Sequence, residues 1–375
     1  KKNPTGKRIA IVGAGPSGLT AAYYSALNGH DVTVFERHSH AGGMMRYGIP
    51  EYRLPKAILD KEIDLIRKLG VKIMTKKTLG IHIRLEELSK DFDAVYLAIG
   101  SWQPTPLQIE GENLPGVWLG IQFLEQVTKQ ADLKVGEKVV VIGGGNTAID
   151  CARTALRLGA KKVMLVYRRT KEDMPAEPYE VEEALHEGVE MHFLTAPSRI
   201  VEEGGRKILH CIRMTLGEPD RSGRRRPIPI EGSEVAFEAD TIIGAIGQST
   251  NTQFLYHDLP VKLDKWGNIE IDGKTFPGGD CVTGPATVIQ AVAAGRHAAE
   301  SMDSFLMKGY VKEQPIDYSC SRGSLEDLPK WEFEEMPKLK RAVMPALPLE
   351  QRQNNFREVE LGLTEETARE EARRC

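Results

Sequence analysis

Two glycine clusters have the spacing of phosphate cradles: Gly13-Ala14-Gly15-Pro16-Ser17-Gly18 and Gly143-Gly144-Gly145-Asn146-Thr147-Ala148. Each follows a short apolar run and opens a stretch with helical spacing, so each reads as strand, tight turn and helix. In that setting Gly13 and Gly143 allow the turn, Gly15 and Gly145 let the backbone approach a pyrophosphate, and Gly18 and Ala148 let helix and strand pack closely. The anion then sits on free N–H groups at the helix N-terminus, where the dipole favours negative charge. Glu36 closes the next strand, about 20 residues after the first cluster, where a carboxylate can accept hydrogen bonds from ribose hydroxyls. Arg37 follows it as a further candidate contact.

The second cluster differs downstream. Arg168 and Arg169 stand at the end of its second strand, where a site for NAD would carry an acid. A guanidinium there pairs with a 2′-phosphate, which points to NADPH and leaves NADH open. One charge-assisted hydrogen bond contributes about 1.5–3 kcal/mol, enough for a ten- to hundredfold preference. Two such units in one chain imply two dinucleotides that meet, and hydride leaving a nicotinamide needs a receiver, which FAD in the first unit supplies. Asp280, on the turn Gly278-Gly279-Asp280, is placed to bind a ribityl hydroxyl, and the helix from Ala286 to Ala299 offers its N-terminus to charge on a reduced flavin. Positioning at about 3–3.5 Å then suffices for hydride transfer, so no catalytic acid or base is assigned.

The elements that must position these residues form a repeat. Arg8–Val12, Leu19–Leu27 and Asp31–Glu36 read as βαβ, and Lys138–Ile142, a helix through Leu158, and Lys162–Tyr167 read as the same unit again. Buried strands end on Gly100 and on Gly247, one for each site. The fold class is α/β: two Rossmann-like dinucleotide-binding domains with the NAD(P) domain inserted into the FAD domain, plus an extended C-terminal tail. The FAD domain is placed at 1–125 and 245–310, the NAD(P)H domain at 126–244 and the tail at 311–375. Ile200–Phe237 reads as strands joined by a polar loop, with Arg224-Arg225-Arg226 favouring a solvated hairpin over a docking patch. Pro315, Pro329, Pro337, Pro345 and Pro348 punctuate a linker or surface strap, after which Thr364–Arg374 resumes as a charged helix.

A chain of 375 residues accommodates two domains, and 41% apolar with 27% charged residues is ordinary for a globular protein. A net charge of −3 offers nothing to attract nucleic acid, and no apolar run approaches the roughly 20 residues of a membrane span. The five cysteines, Cys151, Cys211, Cys281, Cys320 and Cys375, include no C-x-x-C pair. That spacing points to a cytoplasmic setting and leaves no redox dithiol beside the flavin. Cys151 and Cys281 read as small buried hydrophobes. The chain opens without Met and stops at Arg373-Arg374-Cys375, as if cut from a longer polypeptide.

The run Gly42-Gly43-Met44-Met45-Arg46-Tyr47-Gly48-Ile49-Pro50-Glu51-Tyr52-Arg53-Leu54-Pro55, with Tyr167-Arg168-Arg169 and Met174-Pro175-Ala176, resembles the glutamate synthase small-chain family. That family includes the flavin part of dihydropyrimidine dehydrogenase and the flavin subunit of NADH-dependent ferredoxin:NADP oxidoreductase, and is more distantly similar to adrenodoxin reductase. The resemblance covers about residues 7–305. It implies that Gly43, Met44, Arg46, Gly48 and Ile49 lie beside FAD, and that Gly279, Asp280, Thr287 and Val288 close over it. By similarity to adrenodoxin reductase, Arg168, Arg169 and Glu180 would contact NADPH. The family's Cys-rich N-terminal domain is missing from the sequence, so iron–sulfur clusters are expected in missing regions or partner subunits, with Cys375 a possible first ligand and no metal site within the chain. The expected activity is an electron-transfer module between NADPH, FAD and iron–sulfur clusters or ferredoxin, in a hetero-oligomer. A glutamate synthase small subunit beside an amidotransferase, a flavin reductase of a small organic substrate and a non-enzymatic FAD scaffold stay open.

Overall fold

The computed structural model describes residues 1–129, 133–219, 223–250, 273–311, 322–324, 326–332, 334–335 and 340–373. Cys320 and Cys375, including the proposed cluster ligand, lie outside the described residues. In chain order the elements open with β1 (Arg8–Val12), α1 (Pro16–Leu27), β2 (Asp31–Phe35), α2 (Met44–Tyr47), α3 (Lys56–Lys68), β3 (Lys72–Met74), α4 (Leu85–Asp91) and β4 (Ala94–Leu97). The short β5 (Gln103–Pro104) leads to β6 (Val117–Leu119), α5 (Gly120–Thr128), β7 (Lys138–Ile142), α6 (Asn146–Arg157), β8 (Lys162–Val166), α7 (Pro178–His186) and β9 (Glu190–His192). Then follow β10 (Thr195–Glu203), β11 (Arg206–Pro219), β12 (Arg225–Ala239), β13 (Thr241–Gly244), β14 (Gln248–Ser249), β15 (Thr275–Pro277), α8 (Asp280–Thr283), α9 (Val288–Lys308) and α10 (Glu365–Ala372).

Two five-stranded parallel sheets result, in the orders β15-β4-β1-β2-β3 and β6-β13-β7-β8-β9. Their central strands are apolar runs buried almost end to end, the pattern of parallel sheets covered on both faces. Helix α9 returns across the chain to pack on α1. Strands β10–β12 make a separate antiparallel sheet, and Arg225 donates to the carbonyls of Gly217 and Leu216, so this arginine braces the hairpin.

The sheets change over earlier than the expected residue 126. Val117 pairs with Ile242, which places β6 and α5 with the second sheet. A three-residue strand is too short for periodicity to reveal. A two-stranded ribbon, β14 on β5, joins the units through Gln248↔Pro104 and Ser249↔Gln103. Pro315 and Pro337 lie outside the described residues, but the segment around Pro345 and Pro348 forms a strap: Leu347 and Val359 are buried, the Leu347 N–H donates to the Val359 carbonyl at 2.7 Å, and the Val359 N–H donates to the Tyr52 carbonyl at 3.0 Å.

Candidate functional site

The two glycine loops are built alike, bond for bond. The Gly13 N–H donates to the Phe35 carbonyl at 2.8 Å, and the Gly143 N–H donates to the Val166 carbonyl at 3.0 Å. Behind them the Ala98 N–H donates to Val12, and the Ala245 N–H to Ile142. A Cβ on Gly13 would lie 2.3 Å from the Ala98 oxygen, and one on Gly143 would lie 2.2 Å from the Ala245 oxygen. Both glycines also hold positive φ, +106° and +148°, so no other residue fits. Gly15 and Gly145 are different: each has extended backbone, and a Cβ there would meet no atom nearer than 3.9 Å, consistent with room kept for a ligand. Each caps a 12-residue helix with no acid in its first turn. The carbonyl ends of the flanking strands repeat too, as Ala98-Ile99-Gly100 and Ala245-Ile246-Gly247.

A cleft of about 380 Å³ opens over the first loop, lined by Gly13, Gly15, Pro16, Ser17, Glu36, Arg37, Gly43, Met44, Gly100 and Asp280 among others. Glu36 is 4% exposed. Its carboxylate accepts the Ala14 and His38 N–H groups, both at 2.8 Å, leaving lone pairs for a ribose. Burial raises its pKa, and those N–H groups and Arg37 work against the rise. Asp280 sits in the first turn of α8, and its Oδ1 is buried with no hydrogen-bond partner among the described residues. Burial raises its pKa as well. A carboxylate oxygen orphaned in a cleft wall fits a ligand hydroxyl. Together with the cradle at Gly15, it fits the residues to FAD.

Some expected neighbours stand elsewhere. Arg46 and Gly48 line a second cavity, of about 760 Å³, with Tyr47, Pro50, Glu51 and Lys56. Ile49 lines neither cavity. Thr287 caps α9 through Gln290, Val288 is 38% exposed, and Ala291 is the residue by which that helix reaches the cleft. Sequence reasoning missed Lys77–Ile81, which follow β3, and Ser101 and Trp102, which follow the first Ala-Ile-Gly strand end. Trp102, an aromatic two residues after Gly100, was the available signal. The Arg37 guanidinium lies 4.3 Å from the Trp102 ring centre, and Ser101 donates to the Asp280 carbonyl at 2.9 Å.

At the second loop the register corrects one reading. Phe35 and Val166 are equivalent acceptors, so Tyr167, and not an arginine, occupies the position of Glu36, while Arg168 matches Arg37. Tyr167 packs against Gly144, where a Cβ would lie 2.4 Å from its ring, and its hydroxyl donates to the Asp173 carbonyl. The Met174-Pro175-Ala176 run lies on the same loop: the Ala176 N–H donates to Gly144, and the Glu177 N–H donates to Asn146 Oδ1. Arg168 is exposed. Arg169 is 3% exposed, and its Nε donates to the Arg225 carbonyl at 2.7 Å, so the two guanidiniums do not form a single patch. Thr147 and Ala148 follow Asn146 in the first turn of α6, and Gly247 accepts the Thr105 N–H at 3.0 Å.

Glu180 belongs to a buried ionic cluster between the units. It pairs with Arg53 at 2.7 Å and Arg153 at 2.5 Å; Arg53 also pairs with Asp150 at 2.9 Å. Arg153 and Arg157 pair with Glu187 and stack over the buried Tyr52 ring. Arg352 of the strap joins through Glu183 and Glu187. Burial would raise Glu187, but hydrogen bonds and charge from Arg157 and Arg153 outweigh it and lower the carboxyl to about 2. Burial instead prevails at Asp150, against the opposing pull of Arg53, and raises it to about 6. Cys151, Cys211 and Cys281 are buried thiols, all pushed up chiefly by burial. No described helix is long and apolar enough to cross a membrane.

Comparison with known proteins matches residues 7–295 to the pyridine nucleotide-disulphide oxidoreductase family. The chain is 41% identical over 99% of its length to the NADP(+)-dependent formate dehydrogenase subunit beta of Moorella thermoacetica, and spans 54% of that protein. It is 36% identical over 80% of its length to the Escherichia coli glutamate synthase [NADPH] small chain, covering 69% of it. Mycobacterium tuberculosis FprA in complex with NADPH shares the fold, with a TM-score of 0.69, 19% identity and coverage of 84% of this chain and 88% of FprA. The chain therefore belongs to the pyridine nucleotide-disulphide oxidoreductase family, and within it to the FAD- and NAD(P)H-binding oxidoreductases of the glutamate synthase small-chain type.

Proposed function

We propose that this chain is the flavin module of an NADPH-linked electron-transfer complex, exchanging electrons with iron–sulfur clusters or a ferredoxin held by another domain or subunit. The observation that carries the reading is the duplicated glycine loop, with a buried acid, Glu36, after the first copy and none at the matching position of the second. Glu36, Gly15 and Asp280 would hold FAD; Gly145, the α6 N-terminus and Arg168 would hold NADPH. When bound, FAD supplies two-electron exchange with the nicotinamide and one-electron exchange with the acceptor. The chain's own work is to bind, orient and exclude water. Relatives named as NADP(+)-dependent or [NADPH] subunits support the cofactor choice and a place in a hetero-oligomer. The three described thiols are buried and lack a C-x-x-C partner, which favours an acceptor outside the chain over a dithiol. The cysteine spacing also supports the cytoplasm as the setting.

The test is anaerobic addition of NADPH to the FAD-loaded chain. Bleaching of the flavin absorbance, with fast reduction of one-electron dyes and of a low-potential ferredoxin, is the expected result. A flavin that NADPH leaves oxidised, or full-rate reduction of a small organic substrate by a native protein without iron or iron–sulfur partners, would overturn the proposal.

A further inference from the structure

The run that carries the family resemblance continues past its glycines into Gly48-Ile49-Pro50 and Leu54-Pro55-Lys56, residues with no evident role in holding a dinucleotide. The structure brings them to one point. Lys56 Nζ donates to three carbonyl oxygens: Ile49 at 2.7 Å, Leu54 at 2.8 Å and Met45 at 3.1 Å. Two of these carbonyls precede prolines, Pro50 and Pro55, whose nitrogens carry no N–H. The third, from Met45, lies in the one-turn helix α2, whose closing N–H groups, those of Gly48 and Ile49, both go to the Met44 carbonyl. An ammonium has three protons and no acceptor, so three converging carbonyls match it, whereas a planar guanidinium would not.

We propose that Lys56 is a positioning residue for the flavin: by gathering the carbonyls of Met45, Ile49 and Leu54 it sets the loop from Gly43 to Leu54, and with it the Gly43–Met44 wall of the FAD cleft. This rests on the reading of that cleft as the FAD site. The rest of the loop is anchored around the same point. The Glu51 carboxylate accepts the Lys56 N–H at 3.1 Å, and Arg46 pairs with Asp60 and donates to the Ala41 carbonyl at 2.6 Å. Gly43 meets the first phosphate loop so closely that a Cβ on it would lie 2.6 Å from the Gly15 Cα. A shift of this loop therefore moves a surface in contact with the cradle itself. Burial lowers the Lys56 ammonium to about 8, with Glu51 opposing the fall, so it still carries its third proton at neutral pH.

The experiment titrates FAD into the deflavinated full chain, wild type, Lys56→Ala and Lys56→Gln, by quenching of flavin fluorescence, and measures NADPH affinity separately. Lys56→Ala is expected to weaken FAD by about 10- to 100-fold, the loss attached to charge-assisted hydrogen bonds, and Lys56→Gln by less. NADPH affinity, carried by the other sheet, should stay within about twofold. Added n-propylammonium should restore much of the loss in Lys56→Ala, and tetramethylammonium, which has no N–H, should not. Wild-type FAD affinity in either variant overturns the inference. So does a loss shared equally by FAD and NADPH and indifferent to propylammonium, since that marks general unfolding. A wild-type chain that takes up no FAD overturns the reading of the cleft, and this inference with it.

Discussion

Replacing Arg168 alone and Arg169 alone separates two functions that a double substitution would merge. Arg168 is exposed at the end of β8, beside the second glycine loop, so Arg168→Ala should leave folding unchanged within about 0.5 kcal/mol. If its guanidinium meets a 2′-phosphate, the loss is one charge-assisted interaction, about 1.5–3 kcal/mol, or roughly 10- to 100-fold in kcat/KM for NADPH. NADH lacks that phosphate and should be used as before. Arg169 is buried, and its Nε bond to Arg225 ties the end of β8 to the antiparallel sheet. Arg169→Ala should cost about 1–3 kcal/mol of stability by leaving that carbonyl without its donor, and should weaken both nucleotides to a similar, smaller degree. Anaerobic stopped-flow bleaching of the flavin by each nucleotide, beside urea unfolding of each variant, reads both effects. Discrimination lost in Arg169→Ala and retained in Arg168→Ala would refute the assignment. So would equal losses for the two nucleotides in Arg168→Ala.

Gly15→Ala and Gly145→Ala should fold, because each new Cβ meets nothing closer than 3.9 Å, yet lose FAD and NADPH binding respectively by at least about tenfold; normal titration curves would contradict the cradle geometry. Gly18→Ala should unfold the first unit or fail to express, since its Cβ would lie 1.9 Å from the Gly13 oxygen. Glu187 has a depressed folded-state pKa of about 2, so its stabilisation is complete above the ordinary value of 4.5 and is lost as pH falls from there towards 2. Glu187→Gln should therefore cost about 3 kcal/mol near neutral pH and converge with wild type in acid, read by urea unfolding across pH; parallel curves would contradict it. Arg352→Ala breaks a buried pair with Glu183 and should cost about 3 kcal/mol, seen as a lower unfolding midpoint, with no change expected if the strap merely rests on the surface.

The geometry of the glycine loops was legible because it is local. A tight turn, a close phosphate and a helix N-terminus demand small residues at fixed offsets, and a strand end about 20 residues on supplies the ribose acid. The duplicated Ala-Ile-Gly strand ends and the repeated βαβ unit come from the same short-range rules. The position of Tyr167 was not legible, since the glycine loop fixes the register and a one-residue shift at a strand end leaves no mark in composition. The hairpin around Arg225 was legible as strands, because a polar loop between alternating strands is a local pattern.

The ionic cluster between the units shows what sequence pattern withholds. Arg53, Asp150, Arg153, Glu180, Glu187 and Arg352 lie up to 299 positions apart on four segments, and, apart from the NADPH contact that resemblance implied for Glu180, nothing in their spacing draws them together. Only folding brings them together, with Arg153 and Arg157 over the Tyr52 ring. Such a cluster gains little net stability over an apolar core, because desolvating its charges offsets most of their attraction. Its stronger consequence is geometric: each arginine accepts few arrangements of its partners, so Arg53 of the flavin loop fixes where Asp150 and Glu180 of the nucleotide unit stand. Asp150 lies on α6, the helix whose N-terminus is the second cradle, and the loop bearing Arg53 is the one gathered by Lys56. The two proposed cofactor sites are thus held in register by contacts between the units, through residues that touch neither glycine loop.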